Sequence, residues 1–343
     1  MRRATFEDVS IYDARPRLID AHGRLIDYLR VSVTDRCNLR CAYCMGSEAK
    51  FLPRSEVLTL EEIERVCAAF IRMGVKKLRL TGGEPLLRPG VVEMAGRLGR
   101  YVHLGALDEL TVTTNGMLLA QYADTLARAG VRRINVSLDA LSEAVFRSIT
   151  GHDGLDQVLA GIDAARRAGI AVRINTVAIG GVNDGEFDSL LAWCGEHECD
   201  MALIELMPMG GARRFHGDAL MLDTVRERLA QHWTLLPVAH GRGGPARYVR
   251  VAETGRRLGF ITPLSHGFCR DCNRVRLTCA GELMLCLGHT RGVDLKTVLR
   301  SGAPERALED TILDALALKP RANDFAGESG EFSSVPNMWQ MGG

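Results

Sequence analysis

Two runs of cysteines carry the most legible chemistry in this chain. The first, Asp35-Arg36-Cys37-Asn38-Leu39-Arg40-Cys41-Ala42-Tyr43-Cys44, spaces its thiols as C-x3-C-x2-C. Three thiolates cannot close a tetrahedral zinc site, nor can they ligate every iron of a 4Fe–4S cube. On such a cube one iron stays open, and an open metal position is where a small molecule binds. A zinc reading would need a fourth ligand, and no further Cys or His lies close by in sequence. The second run holds Cys269, Cys272, Cys279 and Cys286. Cys269, Cys272 and Cys286 read as C-x2-C-x13-C, again with one iron open. With Cys279 included, C-x2-C-x6-C-x6-C is a four-thiolate set for zinc or a closed cluster. Spacing alone leaves both open. Cys67, Cys194 and Cys199 stand outside either run.

Clustered thiols of this kind need a scaffold, and the sequence from residue 28 to 207 supplies one. Six short β-rich runs alternate with helical patterns: Tyr28–Thr34, Lys77–Thr81, Leu110–Thr114, Arg132–Leu138, Ala171–Ala178 and Met201–Met207. The clearest helix is Thr59–Met73. Thr59 and Glu62 form a T-x-x-E capping box, Ile63, Val66, Phe70 and Met73 recur at helical spacing, and Gly74 stops it. Ala123–Ala129, Asp156–Ala168 and Gly185–His197 read similarly. Strand–helix alternation implies a parallel sheet, either open and doubly wound or an incomplete barrel. No G-x-G-x-x-G opens the first unit, which disfavours a dinucleotide fold. In either architecture chemistry gathers at the carboxyl ends of the strands. There stand the first cysteine run, Gly82-Gly83-Glu84-Pro85, Thr113-Thr114-Asn115-Gly116, and Ser137 with Asp139. After Pro208 the pattern weakens, with loops at Gly210-Gly211 and Gly241–Gly244. The tail from Val335 to Gly343 shows no helical period.

Composition narrows the setting. The 343 residues are 46% hydrophobic and 25% charged, an ordinary soluble globular balance that excludes disorder as the main state. No apolar run reaches the about 18 residues of a membrane helix. The arginines at the N-terminus precede no apolar stretch, so no signal peptide is expected, and thiols in a cytoplasmic, reducing setting bind metal more readily than they pair. A net charge of +1 gives no chain-wide pull toward nucleic acid or membrane. Any anion site must be built from local arginines. His152, His216, His240, His266 and His289 lack ligand spacing with the cysteines or each other.

The C-x3-C-x2-C loop after a first strand, with Tyr43 before the third Cys, resembles the radical S-adenosylmethionine superfamily. In that superfamily the open iron chelates the methionine end of S-adenosylmethionine, whose cleavage yields a 5′-deoxyadenosyl radical that abstracts hydrogen. Gly82-Gly83-Glu84-Pro85 resembles its motif for the methionine amino group. The resemblance then narrows to the GTP 3′,8-cyclase family. It covers nearly the whole chain: Ile26-Asp27-Tyr28-Leu29-Arg30 through Cys44, Leu80–Pro85, Thr113–Gly116, Ile134–Ala140, Ile204–Met209, Cys272-Asn273-Arg274-Val275-Arg276-Leu277-Thr278, and the terminal Gly342-Gly343.

This resemblance implies an incomplete (β/α)6 TIM-type barrel with a smaller C-terminal cluster-binding region, divided as 1–239 and 240–343. It implies two 4Fe–4S clusters, held by Cys37, Cys41 and Cys44 and by Cys269, Cys272 and Cys286, with Cys279 not a ligand. The second open iron would take the guanine base. By motif position Tyr43, Gly83, Ser137 and Met207 would contact S-adenosylmethionine. Arg30, Lys77, Arg79, Thr113, Arg173, Arg274, Val275 and Arg276 would contact GTP. A triphosphate carries about four negative charges, and guanidinium forks bind phosphate oxygens in pairs. The implied reaction converts GTP to 3′,8-cyclo-7,8-dihydro-GTP, the first step of molybdenum cofactor biosynthesis. The implied partners are a reductant such as flavodoxin or ferredoxin, a downstream cyclic pyranopterin monophosphate synthase, and a second copy in a homodimer. The diglycine tail would reach the active site. Two departures stand out: Arg173 where the family often has lysine, and Ala202 where it has arginine, a loss that would either weaken phosphate binding or deprive a carboxylate such as Glu205 of a partner. The rival readings are a radical enzyme acting on a peptide, and a zinc or electron-carrying scaffold without turnover.

Overall fold

The fold was obtained as a computed structural model that describes residues 17–45, 49–215, 220–239, 244–289, 292–323, 325 and 338–342. Twelve strands form one sheet. They are β1 (Tyr28–Ser32), β2 (Lys77–Thr81), β3 (Glu109–Thr114), β4 (Arg133–Ser137), β5 (Ala171–Ala178), β6 (Asp200–Glu205), β7 (Leu235–Pro237), β8 (Ala246–Val251), β9 (Arg257–Ile261), β10 (Arg274–Leu277), β11 (Glu282–Met284) and β12 (Gly292–Asp294). Their order is β12-β11-β10-β1-β2-β3-β4-β5-β6-β9-β8-β7. Pairing is parallel from β10 through β1 to β6 and β9, and antiparallel only at the two ends. The sheet therefore stays open between β12 and β7, which is an incomplete barrel. The six strands read from the sequence are all present, within two residues at each end. Two more parallel strands, β9 and β10, extend the array on either side; both are short, and their patterns fall in the region where the periodicity weakens.

Helices cover the outer face. They are α1 (Leu60–Arg72), α2 (Val91–His103), α3 (Leu119–Arg128), α4 (Glu143–Thr150), α5 (Leu155–Arg167), α6 (Phe187–Glu196), α7 (Leu222–Leu229), α8 (Lys296–Arg300), α9 (Glu305–Ala317) and α10 (Met338–Met341). The capping box at Thr59 forms as expected, the Thr59 hydroxyl accepting from Glu62 N–H at 3.1 Å and the Glu62 carboxylate accepting from Thr59 N–H at 2.7 Å. Gly74, at φ +101°, ends α1 in a conformation that favours glycine. α10 corrects the reading of the tail as non-helical. A single turn is too short to show a period, and burial of Trp339 and Met341 sets it instead. Among the described residues no helix is long and apolar enough to cross a membrane.

Strand alternation sorts the two faces. Leu29, Val31, Leu78, Leu80, Leu110, Val112, Ile134, Val136, Val172 and Ile174 pack with Ile63, Val66, Phe70, Met94 and Leu126 of the helices into one core. The intervening residues face inward and are polar, which a barrel interior tolerates only if it is a site rather than a core.

A cavity between two cysteine trios

A cavity of about 710 Å³ opens on that inner face. Cys37, Cys41 and Cys44 line it, and so do Cys269, Cys272 and Cys286. The other four cysteines, Cys67, Cys194, Cys199 and Cys279, are fully buried and do not line it. Cys279 instead lies beside Ser32, Asp35 and Arg88. The partition answers a question that spacing left open: Cys279 does not share the cavity with its three neighbours in sequence. Among the described residues no three Cys, His, Asp or Glu side chains converge on one ion-sized point. Thiols that ring a cavity without converging suit a multi-iron body rather than a lone ion.

At the first end the loops after β1, β2, β3 and β4 interlock. Gly83 N–H donates to Thr34 O at 2.8 Å and Glu84 N–H to Arg36 O at 2.8 Å. A Cβ on Gly83 would lie 2.4 Å from Arg36 O, so only glycine lets the two loops meet. The buried Glu84 carboxylate accepts from Thr114 Oγ1 at 2.8 Å, Asn115 N–H at 2.7 Å and Leu86 N–H at 3.0 Å. Asn115 in turn donates to Asn38 Oδ1 at 2.8 Å, fixing the cysteine loop. Tyr43 donates to Asp139 Oδ2 at 2.9 Å, and Asp139 Oδ1 accepts from Val177 N–H at 2.8 Å. Burial pushes Glu84 up to about 7 and Asp139 up to about 6, the hydrogen bonds opposing but not cancelling it. Burial, then the neighbouring Cys37, raises Cys44 to about 12. Ser137 and Met207 border this end, where Met207 joins an apolar cluster of Met209, Met284, Phe325 and Met341.

The other end is cationic. Strand register alone sets a row across five strands: Arg276 beside Arg30, Arg30 beside Arg79, Arg79 beside Thr111, Thr111 beside Arg133. A second row places Tyr28 between Arg274 and Lys77. Asn273 donates to Asp27 Oδ1 at 2.6 Å, which seats β10 against β1 and so completes both rows. Arg133 pairs with Glu109 at 2.7 Å and Arg257 with Asp200 at 2.6 Å. Among the described residues Arg79, Arg173, Arg274 and Arg276 have no carboxylate partner, and Arg274 Nε is buried without a hydrogen bond. Burial above all, with repulsion between neighbouring guanidiniums adding to it, pulls Arg30 and Arg79 down to about 9 and Arg276 to about 10. Such an array is complete only with an anion in it.

Every residue the resemblance assigns to S-adenosylmethionine or GTP lines this cavity: Tyr43, Gly83, Ser137 and Met207, and Arg30, Lys77, Arg79, Thr113, Arg173, Arg274, Val275 and Arg276. Val275 differs from its neighbours. It packs into the hydrophobic core, so it presents backbone to the cavity while Arg274 and Arg276 present side chains. Tyr28 carries no sequence signal beyond its place in a strand. Its hydroxyl is buried without a hydrogen bond, and although burial would raise it, Arg79, Arg30, Arg274 and Arg276 pull it below its ordinary value. Tyr248 carries no signal either, because β8 lies where the pattern fades. Its hydroxyl accepts from Arg173 Nη1 at 2.7 Å. Ala202 pairs with Gly259, and Gly259 with Tyr248, so two small residues leave room for the phenol ring. A Cβ on Gly259 would lie 2.8 Å from that ring. Glu205 needs no arginine at 202: it accepts from Leu264 N–H at 3.0 Å, Ser265 N–H at 3.2 Å and the Ser265 hydroxyl. Of the diglycine, Gly342 O accepts from Arg276 Nη1 at 2.6 Å, and Gly343 lies outside the described residues. His266 pairs with Asp223 and His289 with Ala322 O, both away from the cavity, while His216 and His240 lie outside the described residues.

An incomplete barrel that rings one cavity with two cysteine trios defines a radical S-adenosylmethionine protein. The radical SAM superfamily profile matches residues 31–194, and the Molybdenum Cofactor Synthesis C profile matches residues 199–325. The chain is 52% identical over 329 residues to GTP 3′,8-cyclase of Caulobacter vibrioides, spanning 96% of this chain and 94% of that one. It is 55% identical over 310 residues to GTP 3′,8-cyclase of Bradyrhizobium diazoefficiens, spanning 90% of each. The chain belongs to the GTP 3′,8-cyclase family. Among solved structures, Streptococcus suis SuiB bound to S-adenosylmethionine superposes with a TM-score of 0.59 at 14% identity, covering 93% of this chain and 73% of that one. That likeness is one of fold.

Proposed function

We propose that the two ends of this cavity hold the two reactants of a GTP cyclisation. The enzyme is a radical SAM GTP 3′,8-cyclase that forms (8S)-3′,8-cyclo-7,8-dihydroguanosine 5′-triphosphate, the first step of molybdenum cofactor biosynthesis. It uses two 4Fe–4S clusters and S-adenosylmethionine. The observation that carries the reading is the division of ten cysteines into six that line the cavity and four buried outside it.

Cys37, Cys41 and Cys44 would hold the first cluster and Cys269, Cys272 and Cys286 the second. Bound there, the clusters and S-adenosylmethionine supply one-electron, hydrogen-abstracting chemistry. The protein's own share is placement. Gly83 lets the β2 loop approach closely enough for its backbone to meet the methionine amino group. Tyr43, held by Asp139, and Ser137 and Met207 flank the same ligand. Lys77, Arg30, Arg79, Thr113, Arg173, Arg274 and Arg276 take the triphosphate and orient the nucleoside, with Val275 contributing backbone. The apolar cluster around Met209 and Met284 would keep this end of the cavity dry, so that charges placed there act through a low dielectric. We assign residues 1–239 to the radical SAM core and 240–343 to the second-cluster region. The reductant is of flavodoxin or ferredoxin type, the product passes to a cyclic pyranopterin monophosphate synthase, and the enzyme works in the cytoplasm as a homodimer.

The test is anaerobic incubation of the reconstituted chain with S-adenosylmethionine, a reductant and GTP. Equal amounts of 5′-deoxyadenosine and cyclised nucleotide are expected. Formation of 5′-deoxyadenosine with GTP left intact would overturn the assignment.

A further inference from the structure

Lys319 follows α9 and is only 3% exposed. Its ammonium donates to Arg274 O at 2.9 Å and also to Leu285 O. The two carbonyls lie at the open end of the β10–β11 hairpin, one on each side. Arg274 lies two residues beyond Cys272, and Leu285 directly precedes Cys286. Burying an ammonium is costly unless a negative charge faces it. Among the described residues no carboxylate forms an ion pair with Lys319. The negative groups that bear on it most are the thiols of Cys272 and Cys286, ahead of Asp20. Arg24, next to it, offers a contrast. Arg24 donates to Cys269 O at 2.7 Å and to Pro320 O at 2.6 Å, but the Asp20 carboxylate pairs with it at 2.6 Å. Arg24 is therefore neutralised locally, whereas Lys319 is not.

We propose that Lys319 is the counter-charge of the second cluster: fixed between the segments that carry Cys272 and Cys286, its ammonium offsets their thiolates and sets the reduction potential there. It is a positioning residue, acting through the cysteines rather than on substrate. The inference rests on the reading that Cys269, Cys272 and Cys286 hold a cluster. A fixed cation stabilises the more negative, reduced state, so its removal makes reduction harder.

The experiment is an anaerobic redox titration, followed by electron paramagnetic resonance, of the full chain and its Lys319→Met and Lys319→Arg variants. Iron counts accompany each, and a Cys44→Ser background lets the second cluster be read alone. At a fixed potential, Lys319→Met is expected to lower the reduced-to-oxidised ratio of the second cluster about tenfold, which is about 59 mV for a one-electron couple. The first cluster, read in a Cys286→Ser background, is expected to keep its potential, and Lys319→Arg to keep both. An unchanged second-cluster potential in Lys319→Met would overturn the proposal. If Lys319→Met fails to hold the second cluster, the arginine variant decides. Full iron and wild-type potential in Lys319→Arg would support the charge role, while loss of iron there too would overturn it. A wild-type chain holding only one cluster would overturn the ligand assignment and the Lys319 role together, an outcome distinct from any confined to the variants.

Discussion

The two ends of the cavity are electrically opposite, and the same strands build both. Near Cys37, Cys41 and Cys44 the buried ionisable neighbours are Glu84 and Asp139, with the more exposed Arg40 opposing them at Cys37, and burial raises all three thiols. In the second trio burial also works upward and leaves Cys286 raised against the pull of Lys319, but at Cys272 Lys319, Arg274 and Arg24 outweigh burial and bring the thiol below its ordinary value. The difference matches the reactants. S-adenosylmethionine brings a cationic sulfonium, and GTP brings a triphosphate. Charge polarity along one cavity can therefore assign each reactant to its end before any contact is specified. A chain of net charge +1 achieves this by register: successive parallel strands place arginines side by side at one height, and loops above them place carboxylates at another.

Exchanging single residues at either end breaks or sharpens this comparison. The largest effect is expected at the ligands. Cys286→Ser should lose about four irons per chain, the content of one 4Fe–4S cube, while Cys279→Ser should lose none, as read by iron and acid-labile sulfide analysis. Next comes the cationic end. Arg79→Met removes a buried guanidinium that donates to Thr111 Oγ1 at 3.2 Å and faces the cavity. A charge-assisted bond is worth about 1.5–3 kcal/mol, so GTP affinity should fall about 10–100-fold by calorimetry with S-adenosylmethionine binding unchanged. Glu84→Gln should do the reverse. An amide nitrogen would face a donor whichever way it turned, since Thr114, Asn115 and Leu86 all donate to that carboxylate. S-adenosylmethionine affinity should drop about tenfold and stability by about 1–3 kcal/mol, with GTP affinity kept.

A further effect is in pH. Glu84 and Asp139 are raised to about 7 and about 6 in the folded chain. Between their unfolded values and these, the folded chain binds more protons than the unfolded one. Stability of the metal-free chain should therefore fall as pH rises from about 4 to 7 and then level off. Thermal unfolding across that range checks the sign, and the slope should shrink in Glu84→Gln.

Much of this could be read from the sequence because it is local. The cysteine spacings, the capping box and the strand–helix alternation are patterns within about fifteen residues, and the fold reproduces them. Arg30 and Arg79 could be picked out because a charge inside an apolar strand is anomalous. What stayed hidden depends on register between distant segments. Nothing near Tyr28 announces that Arg274 and Lys77 will flank it, because β10 reaches β1 only after some 245 residues of intervening chain. Tyr248 is hidden for the same reason: its register partner Gly259 sits between it and Ala202, and its hydroxyl accepts from Arg173. Cys279 illustrates the opposite case. Its spacing leaves a four-thiolate set open, and its place outside the cavity, beside Ser32, Asp35 and Arg88, separates it from its neighbours.

The central claim is that each cysteine trio serves a different reactant. It is tested most directly by electron paramagnetic resonance of chains that retain one cluster each. With Cys269, Cys272 and Cys286 intact and Cys44→Ser, GTP should perturb the signal and S-adenosylmethionine should not. With Cys37, Cys41 and Cys44 intact and Cys286→Ser, the responses should reverse. A chain in which both molecules perturb the same cluster would contradict the account.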